Sequence, residues 1–66
     1  MEWLRKIRDE HGYTSEEVAV QAGISRPAYT NIENGKRRPS VSAAMRIATA
    51  LEFDWTKFFD NTEVST

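Results

Sequence analysis

The stretch TSEEVAVQAGISRPAYTNIENG, residues 14–35, decides the fold around which the rest of the chain is arranged. Thr14 followed by Glu17 has the form of a capping box, which starts a helix. Ser25 is a second helix-start signal, because its hydroxyl can accept a backbone N–H of the following turn. Gly23 lies between the two signals and suits the left-handed position that ends a helix. The stretch predicts two short helices joined by a tight turn, a helix-turn-helix.

Apolar residues recur at helical spacing within both predicted helices. They form one inward face on each helix, made of Val18, Ala19 and Ala22 on the first and of Tyr29 and Ile32 on the second. The small Ala19 permits the two helices to approach closely, and Gly35 ends the second one.

The same reading extends outward to both ends of the chain. Upstream, Trp3, Leu4 and Ile7 predict a helix that ends at Gly12. Downstream, a helix starts at Pro39-Ser40, with an apolar stripe of Val41, Ala44, Ile47, Ala48 and Leu51. A last short helix, Trp55 to Phe59, follows a cap at Asp54. The prediction is an all-α, five-helix domain over residues 1–60, followed by a polar, frayed tail at 61–66.

Composition excludes several classes of protein. The chain has 66 residues and no cysteine, so it forms one domain at most and has neither disulfides nor thiolate metal sites. No apolar run is long enough to span a membrane. His11 is the single histidine and has no partner at metal-binding spacing, so we expect it to pack at a helix end and expect no metal and no cofactor. No set of residues suggests an enzyme.

The charges are separated along the chain although the net charge is only −1. Basic residues collect within and just after the second helix of the helix-turn-helix, at Arg26, Lys36, Arg37 and Arg38. Acidic residues collect at 9–17 and 52–63. A run of cations is usually a solvated loop, but a run that directly follows a helix-turn-helix favours contact with an anionic partner.

The ordered motifs resemble the lambda-type repressor and Cro family, the XRE-type helix-turn-helix regulators. The matching residues cover positions 3–59 and are Leu4-Arg5, Arg8, Gly12-Tyr13-Thr14, Ala22-Gly23-Ile24-Ser25, Ile32-Glu33-Asn34-Gly35-Lys36, Pro39-Ser40, Ile47-Ala48 and Ala50-Leu51. The resemblance implies a transcriptional regulator, expected to be a repressor, in the cytoplasm of a bacterial or phage-infected cell. It would bind double-stranded DNA as a homodimer on a two-fold-related operator, with no small-molecule ligand evident.

The resemblance also implies roles for individual residues. The helix that starts at Ser25 would lie in the major groove, and its outward residues would contact bases: Arg26, Pro27, Thr30 and Asn31. Ser15 at the start of the preceding helix, together with residues at the ends of this helix and in the basic loop, would contact phosphates: Ser15, Ser25, Asn34, Lys36, Arg37 and Arg38. This interpretation requires Glu16 and Glu17 to point away from the duplex.

Two further sets of residues complete the expectation. Arg8 and Glu33 would form a partly buried pair that joins the first helix to the groove-binding helix. Three rings are candidates for a dimer contact: Phe53, Trp55 and Phe59. Glu52 departs from the family, which usually has glycine there, and a left-handed backbone at Glu52 would carry strain of about 1 kcal/mol.

A second function remains open on the sequence alone. The acidic tail and the modest net charge also suit a protein-interaction module, such as an antitoxin or a partner-binding subunit that uses the same fold.

Overall fold

A computed structural model describes residues 1–59, and every regular element in that range is helical. The elements are α1 (Glu2–His11), α2 (Ser15–Ala22), α3 (Arg26–Glu33), α4 (Val41–Leu51) and a 3₁₀ helix (Trp55–Phe59). The all-α prediction is confirmed, and α2 and α3 form the helix-turn-helix. The predicted tail at 61–66 lies outside the described residues. None of the helices in 1–59 has the length and apolar character needed to cross a lipid bilayer.

The predicted last short helix is present at Trp55–Phe59, but it is a 3₁₀ helix, so the described residues form four α-helices and not five. The Asp54 side chain accepts the backbone N–H of Thr56 at 3.0 Å, and the Lys57 N–H bonds to the Asp54 carbonyl, also at 3.0 Å. A bond between residues three apart is the 3₁₀ pattern, which is common in short segments where few residues are available to build an α-helical ladder.

Side-chain caps start three of the four α-helices, as the sequence predicts. Thr14 accepts the N–H of Glu17 at 3.1 Å while the Glu17 carboxylate accepts the N–H of Thr14 at 2.8 Å, which completes the capping box. Ser25 caps α3 through the N–H of Ala28 at 3.2 Å. Ser40 caps α4 in the same way. These bonds satisfy amide groups that the helix itself leaves free.

A left-handed residue follows each of the four α-helices. In the helix-turn-helix this residue is Gly23, at φ 72°, and the next amide, of Ile24, bonds back to the Ala19 carbonyl at 3.0 Å. The same bond follows α4, from Phe53 to the Ala48 carbonyl at 3.0 Å, but there the left-handed residue is Glu52, at φ 60°. The expected strained position is therefore present, because Glu52 carries a Cβ in a conformation that favours glycine.

The core lies where α2 packs on α3 and α4 and α1 packs on α3 and α4. Its fully buried side chains come from all four helices: Leu4, Val18, Tyr29, Ile47 and Leu51. The prediction that Val41 belongs to the apolar stripe of α4 is wrong, because Val41 is 54% exposed. Val41 is the first residue of α4 and shares its outer side with Met45, one turn further on, which is 46% exposed.

An aromatic cluster holds the C-terminal part of the domain against α1. The Trp3 ring meets Phe58 edge-on at 5.2 Å and Phe53 at 5.5 Å between ring centroids. Phe58 is buried, as expected. The Lys57 ammonium lies 5.2 Å from the centre of the Trp3 ring and covers it with a cation–π contact.

Replacing Glu52 by glycine should stabilise the domain. Glu52→Gly removes the left-handed strain and is expected to raise the free energy of unfolding by about 0.5–1 kcal/mol, measured by urea denaturation. The variant also loses a contact between Glu52 Oε1 and His11 Nε2 at 3.6 Å, which is worth little because the Glu52 side chain is 80% exposed.

Gly12→Ala is the matched control for backbone strain, because nothing lies within 4 Å of a Cβ added at Gly12 and its φ is 74°. This variant should lose about 1 kcal/mol. A lower urea midpoint for Glu52→Gly would contradict the strain assigned to Glu52.

Candidate nucleic-acid interface

One side of α3 is turned outward and carries the residues predicted to contact bases. Arg26 and Pro27 are exposed, and Thr30 and Asn31 are half-buried. The opposite side of α3 is buried and consists of Tyr29, Ile32 and Glu33. Because 3.6 residues make one helical turn, the four outward residues form a single short face two turns long.

The basic loop that follows α3 is tied to that face by backbone hydrogen bonds. The Asn31 carbonyl accepts the N–H of Lys36 at 2.9 Å and the N–H of Arg37 at 3.2 Å. Lys36, Arg37 and Arg38 are exposed and form no ion pair with any carboxylate in residues 1–59. The loop therefore presents three free cations at a defined distance from the outward face of α3.

Glu33, the one acidic residue in 25–38, is withdrawn from this surface. It is 5% exposed, and its Oε2 accepts the Nε–H of Arg8 at 3.1 Å. The same guanidinium donates from Nη1 to the Tyr13 carbonyl at 2.9 Å, just beyond the end of α1. Arg8 therefore joins the end of α1 to the C-terminal turn of α3, and it neutralises the carboxylate there.

The surroundings of the pair change the pKa of two side chains. Burial by itself lowers the pKa of Arg8, and the hydrogen bond and charge of Glu33 outweigh this effect, so that the pKa is raised. Burial, followed by repulsion from Glu33, raises the pKa of Tyr29 to about 12. The buried Tyr29 hydroxyl makes no hydrogen bond within the described part of the chain.

The beginnings of α2 and α3 meet at a surface cleft of about 560 Å³. Thr14, Ser15, Glu16 and Arg26 contribute to its lining. Ser15 is half-buried, and Ser25 lies beside Arg26 with its hydroxyl oxygen engaged in capping α3. Glu17 is turned back onto Thr14 by the capping box, but Glu16 shares the cleft with Arg26, so acidic charge is not kept away from the basic face.

Sequence reasoning treated Glu16 as a residue that should point away, and it missed the Asn31 carbonyl as the anchor of the basic loop. The position of Glu16 had no readable signal, because Glu16 lies at the end of α2 that is far from the turn at Gly23, and its approach to Arg26 depends on how the helices cross. No sequence signal predicts that the basic loop bonds to the Asn31 carbonyl, because every residue has a backbone carbonyl.

The candidate dimer residues pack on the chain's own core. Phe53, Trp55 and Phe59 are each half-buried, and the Trp55 and Phe59 rings meet edge-on at 6.1 Å. The most exposed large apolar side chains lie elsewhere, with Val20 the most exposed at 71%.

His11 lies at the end of α1, where its Nδ1 is 3.0 Å from the Ile7 carbonyl and its ring stacks on Tyr13 at 5.9 Å between ring centroids. No group of three or more acidic residues or histidines within 1–59 is arranged to hold a metal ion.

Comparison with known proteins shows the family of the chain. A helix-turn-helix family model matches residues 4–58. An uncharacterized HTH-type transcriptional regulator of Bacillus subtilis, YqaF, is 54% identical over 59 residues, which are 89% of this chain and 78% of that protein. The HTH-type transcriptional regulator SlrR of the same organism is 33% identical over 86% of this chain and 38% of SlrR. A regulator of Methanothermobacter thermautotrophicus is 42% identical over 73% of this chain and 70% of its own length. No solved structure gave a significant match.

The fold, the outward face of α3 and these relatives together define the class of protein. The chain belongs to the helix-turn-helix family of Cro/CI type, which consists of transcriptional regulators and not of enzymes.

Breaking the Arg8–Glu33 pair from one side should destabilise the domain strongly. Glu33→Gln leaves the Arg8 charge, whose side chain is only 15% exposed, without its buried carboxylate partner and with only the exposed Asp9 carboxylate nearby. We expect the free energy of unfolding to fall by about 2–4 kcal/mol in urea denaturation. The double variant Arg8→Met/Glu33→Leu, which removes both charges, should recover to within about 1–2 kcal/mol of the wild type.

Asp9→Asn is the control for this prediction, because the Asp9 carboxylate also approaches Arg8, at 3.8 Å, but is 64% exposed. It should cost less than about 0.5 kcal/mol. Equal losses for Asp9→Asn and Glu33→Gln would contradict the role assigned to the buried pair.

Proposed function

We propose that this protein is a sequence-specific regulator that inserts α3 into the major groove of double-stranded DNA. It binds as a homodimer to a two-fold-related operator and acts there as a repressor. Its location is the cytoplasm of a bacterial or phage-infected cell. The observation that carries the proposal is the charge of the segment 25–38. Its one carboxylate is buried and paired, so its exposed charges are all positive. Phosphates of a duplex are the partner that such a surface attracts.

The proposal divides the contacts into two kinds. Arg26, at the start of α3, is assigned to a guanine edge, where a guanidinium can make two hydrogen bonds, and Asn31 is assigned to an adenine. Thr30 and Pro27 offer contact to a thymine methyl group. The loop Asn34 to Arg38, with Ser15 and Ser25, is assigned to phosphates, which position the protein without reading sequence.

We infer dimer formation from the small surface that one domain can bury on DNA, and repression from occupancy of the operator. A single small DNA-binding module buries only about 600–1,000 Å² of surface, and two half-sites about one helical turn apart raise both affinity and specificity. The half-buried rings of Phe53, Trp55 and Phe59 are the proposed subunit contact. Repression needs no further contact, because occupancy of an operator excludes other proteins from it.

Selection of bound oligonucleotides from a random pool tests the function as a whole. We expect a two-fold-symmetric motif with two half-sites about one helical turn apart. If no sequence is enriched and all duplexes bind alike, the specificity claim fails; if no duplex binds at all, the alternative of a protein-interaction module is favoured.

Arg26→Ala and Lys36→Ala should separate base contact from phosphate contact. Arg26→Ala should lose about 1–3 kcal/mol of discrimination at one position of the selected motif. Lys36→Ala should weaken binding to operator and random duplexes alike, and reduce the slope of log affinity against log salt by about 0.9. Fluorescence anisotropy over a salt series measures both. If the effects of the two variants are reversed, the assignment of α3 and the loop is wrong.

Removing the Glu16 carboxylate should strengthen DNA binding. Glu16 shares the cleft with Arg26, where it repels nearby phosphates, and Glu16→Gln should therefore raise affinity for any duplex by up to about fivefold at low salt. Glu10→Gln removes an equally exposed carboxylate that does not line the cleft, and it should have a smaller effect. Unchanged or weaker binding by Glu16→Gln would show that this carboxylate does not face the duplex.

A further inference from the structure

A second groove lies beside the outward face of α3, between that helix, the basic loop and the start of α4. Its volume is about 400 Å³. Apolar groups form most of its lining, from Ile24, Ala28, Ile32, Pro39 and Ala43, while Arg37, Arg38 and Ser40 complete it. We call it the α3–α4 groove.

The α3–α4 groove combines an alkyl floor with two guanidinium groups. Ile24, Ala28 and Ala43 are half-buried, so their methyl groups remain accessible to a bound group. Arg37 and Arg38 are exposed and have no carboxylate partner within residues 1–59. A group that fits this surface has C–H groups to place on the floor and at least one negative charge.

The groove is continuous with the face assigned to the duplex. Ala28 belongs to the first turn of α3, immediately after Arg26 and Pro27, and Arg37 is bonded to Asn31 through its backbone at 3.2 Å. With α3 in the major groove, the strand that borders that groove passes over this surface. The deoxyribose of that strand presents C–H groups that suit the alkyl floor.

We propose that the α3–α4 groove seats one deoxyribose–phosphate unit of the bound DNA strand, with the sugar on the alkyl floor and its flanking phosphates on Arg37 and Arg38. The inference rests on the proposed function and goes beyond it, because it adds an apolar contact to a loop otherwise expected to act by charge alone. Lys36 does not line the groove, so it attracts phosphates by its charge but does not form part of the seat.

Filling the groove without changing any charge tests the proposal. Ala43→Leu adds bulk at the floor, and Thr49→Leu adds the same side chain at an exposed position near the other end of α4. Binding is measured by anisotropy over a salt series, with both a random-sequence duplex and the selected operator. The seat reads no bases, so Ala43→Leu should weaken binding to both duplexes by about tenfold or more. The magnitude of the salt slope should fall by no more than about 1.8, because the phosphates displaced with the sugar are those on Arg37 and Arg38. Thr49→Leu should bind as the wild type does.

A second variant guards against loss of folding. Ala43 is the third residue of α4, and its N–H already donates to the Ser40 hydroxyl. Ala43→Gln can therefore complete a capping box, which stabilises the helix. The glutamine side chain still occupies the groove. It should show the same loss of affinity with an unchanged or higher urea midpoint.

The outcomes distinguish the two proposals. Wild-type affinity of Ala43→Leu and Ala43→Gln for both duplexes would overturn the groove seat and leave the proposed function intact. A fall of the salt slope by clearly more than about 1.8 would also overturn the seat, because it would mean that phosphate contacts beyond those of Arg37 and Arg38 had been lost. Failure of the wild type to bind any duplex would overturn the proposed function first.

Discussion

Arg8 of α1 and Glu33 of α3 meet in an ion pair at 3.1 Å that links the first helix to the third. The pair has two consequences for the surface opposite. Together with the burial of Tyr29 and Ile32, it holds α3 in the rotation that turns Arg26 and Asn31 outward. It also takes the one carboxylate of the segment 25–38 out of the solvent-exposed surface. Because an unpaired charge at this depth is costly, the two helices cannot rotate independently of each other.

The distribution of charge, and not its sum, is what permits a chain of net charge −1 to present a basic surface. The Asn31 carbonyl holds the loop 36–38 next to α3, and no carboxylate of the described residues pairs with the loop's cations. Glu16 and Asp9 are exceptions on this side of the molecule, since both line the cleft with Arg26. A regulator benefits from limited charge of this kind, because non-specific attraction to phosphates is sequence-independent and competes with recognition of one operator.

Features that depend on neighbours in the sequence could be predicted, and features that depend on packing could not. The caps at Thr14 and Ser25 and the turn at Gly23 require only a few adjacent residues, and all three are present as expected. The apolar spacing of α4 did not reveal that Val41 would remain exposed, because its exposure depends on whether other elements reach the start of α4. The residues that line the α3–α4 groove were equally hidden, because they come from two helices and a loop whose relative placement no local pattern encodes.

The central claim is that α3 and the loop behind it form one surface for the DNA duplex. Titration of ¹⁵N-labelled protein with the selected operator, followed by amide chemical-shift changes, tests it most directly. The account predicts the largest changes at residues 25–38, smaller ones at the start of α2 around Ser15, and small ones at the exposed outer side of α4 around Met45. Large changes confined to α1 and α4, with 25–38 unaffected, would contradict it.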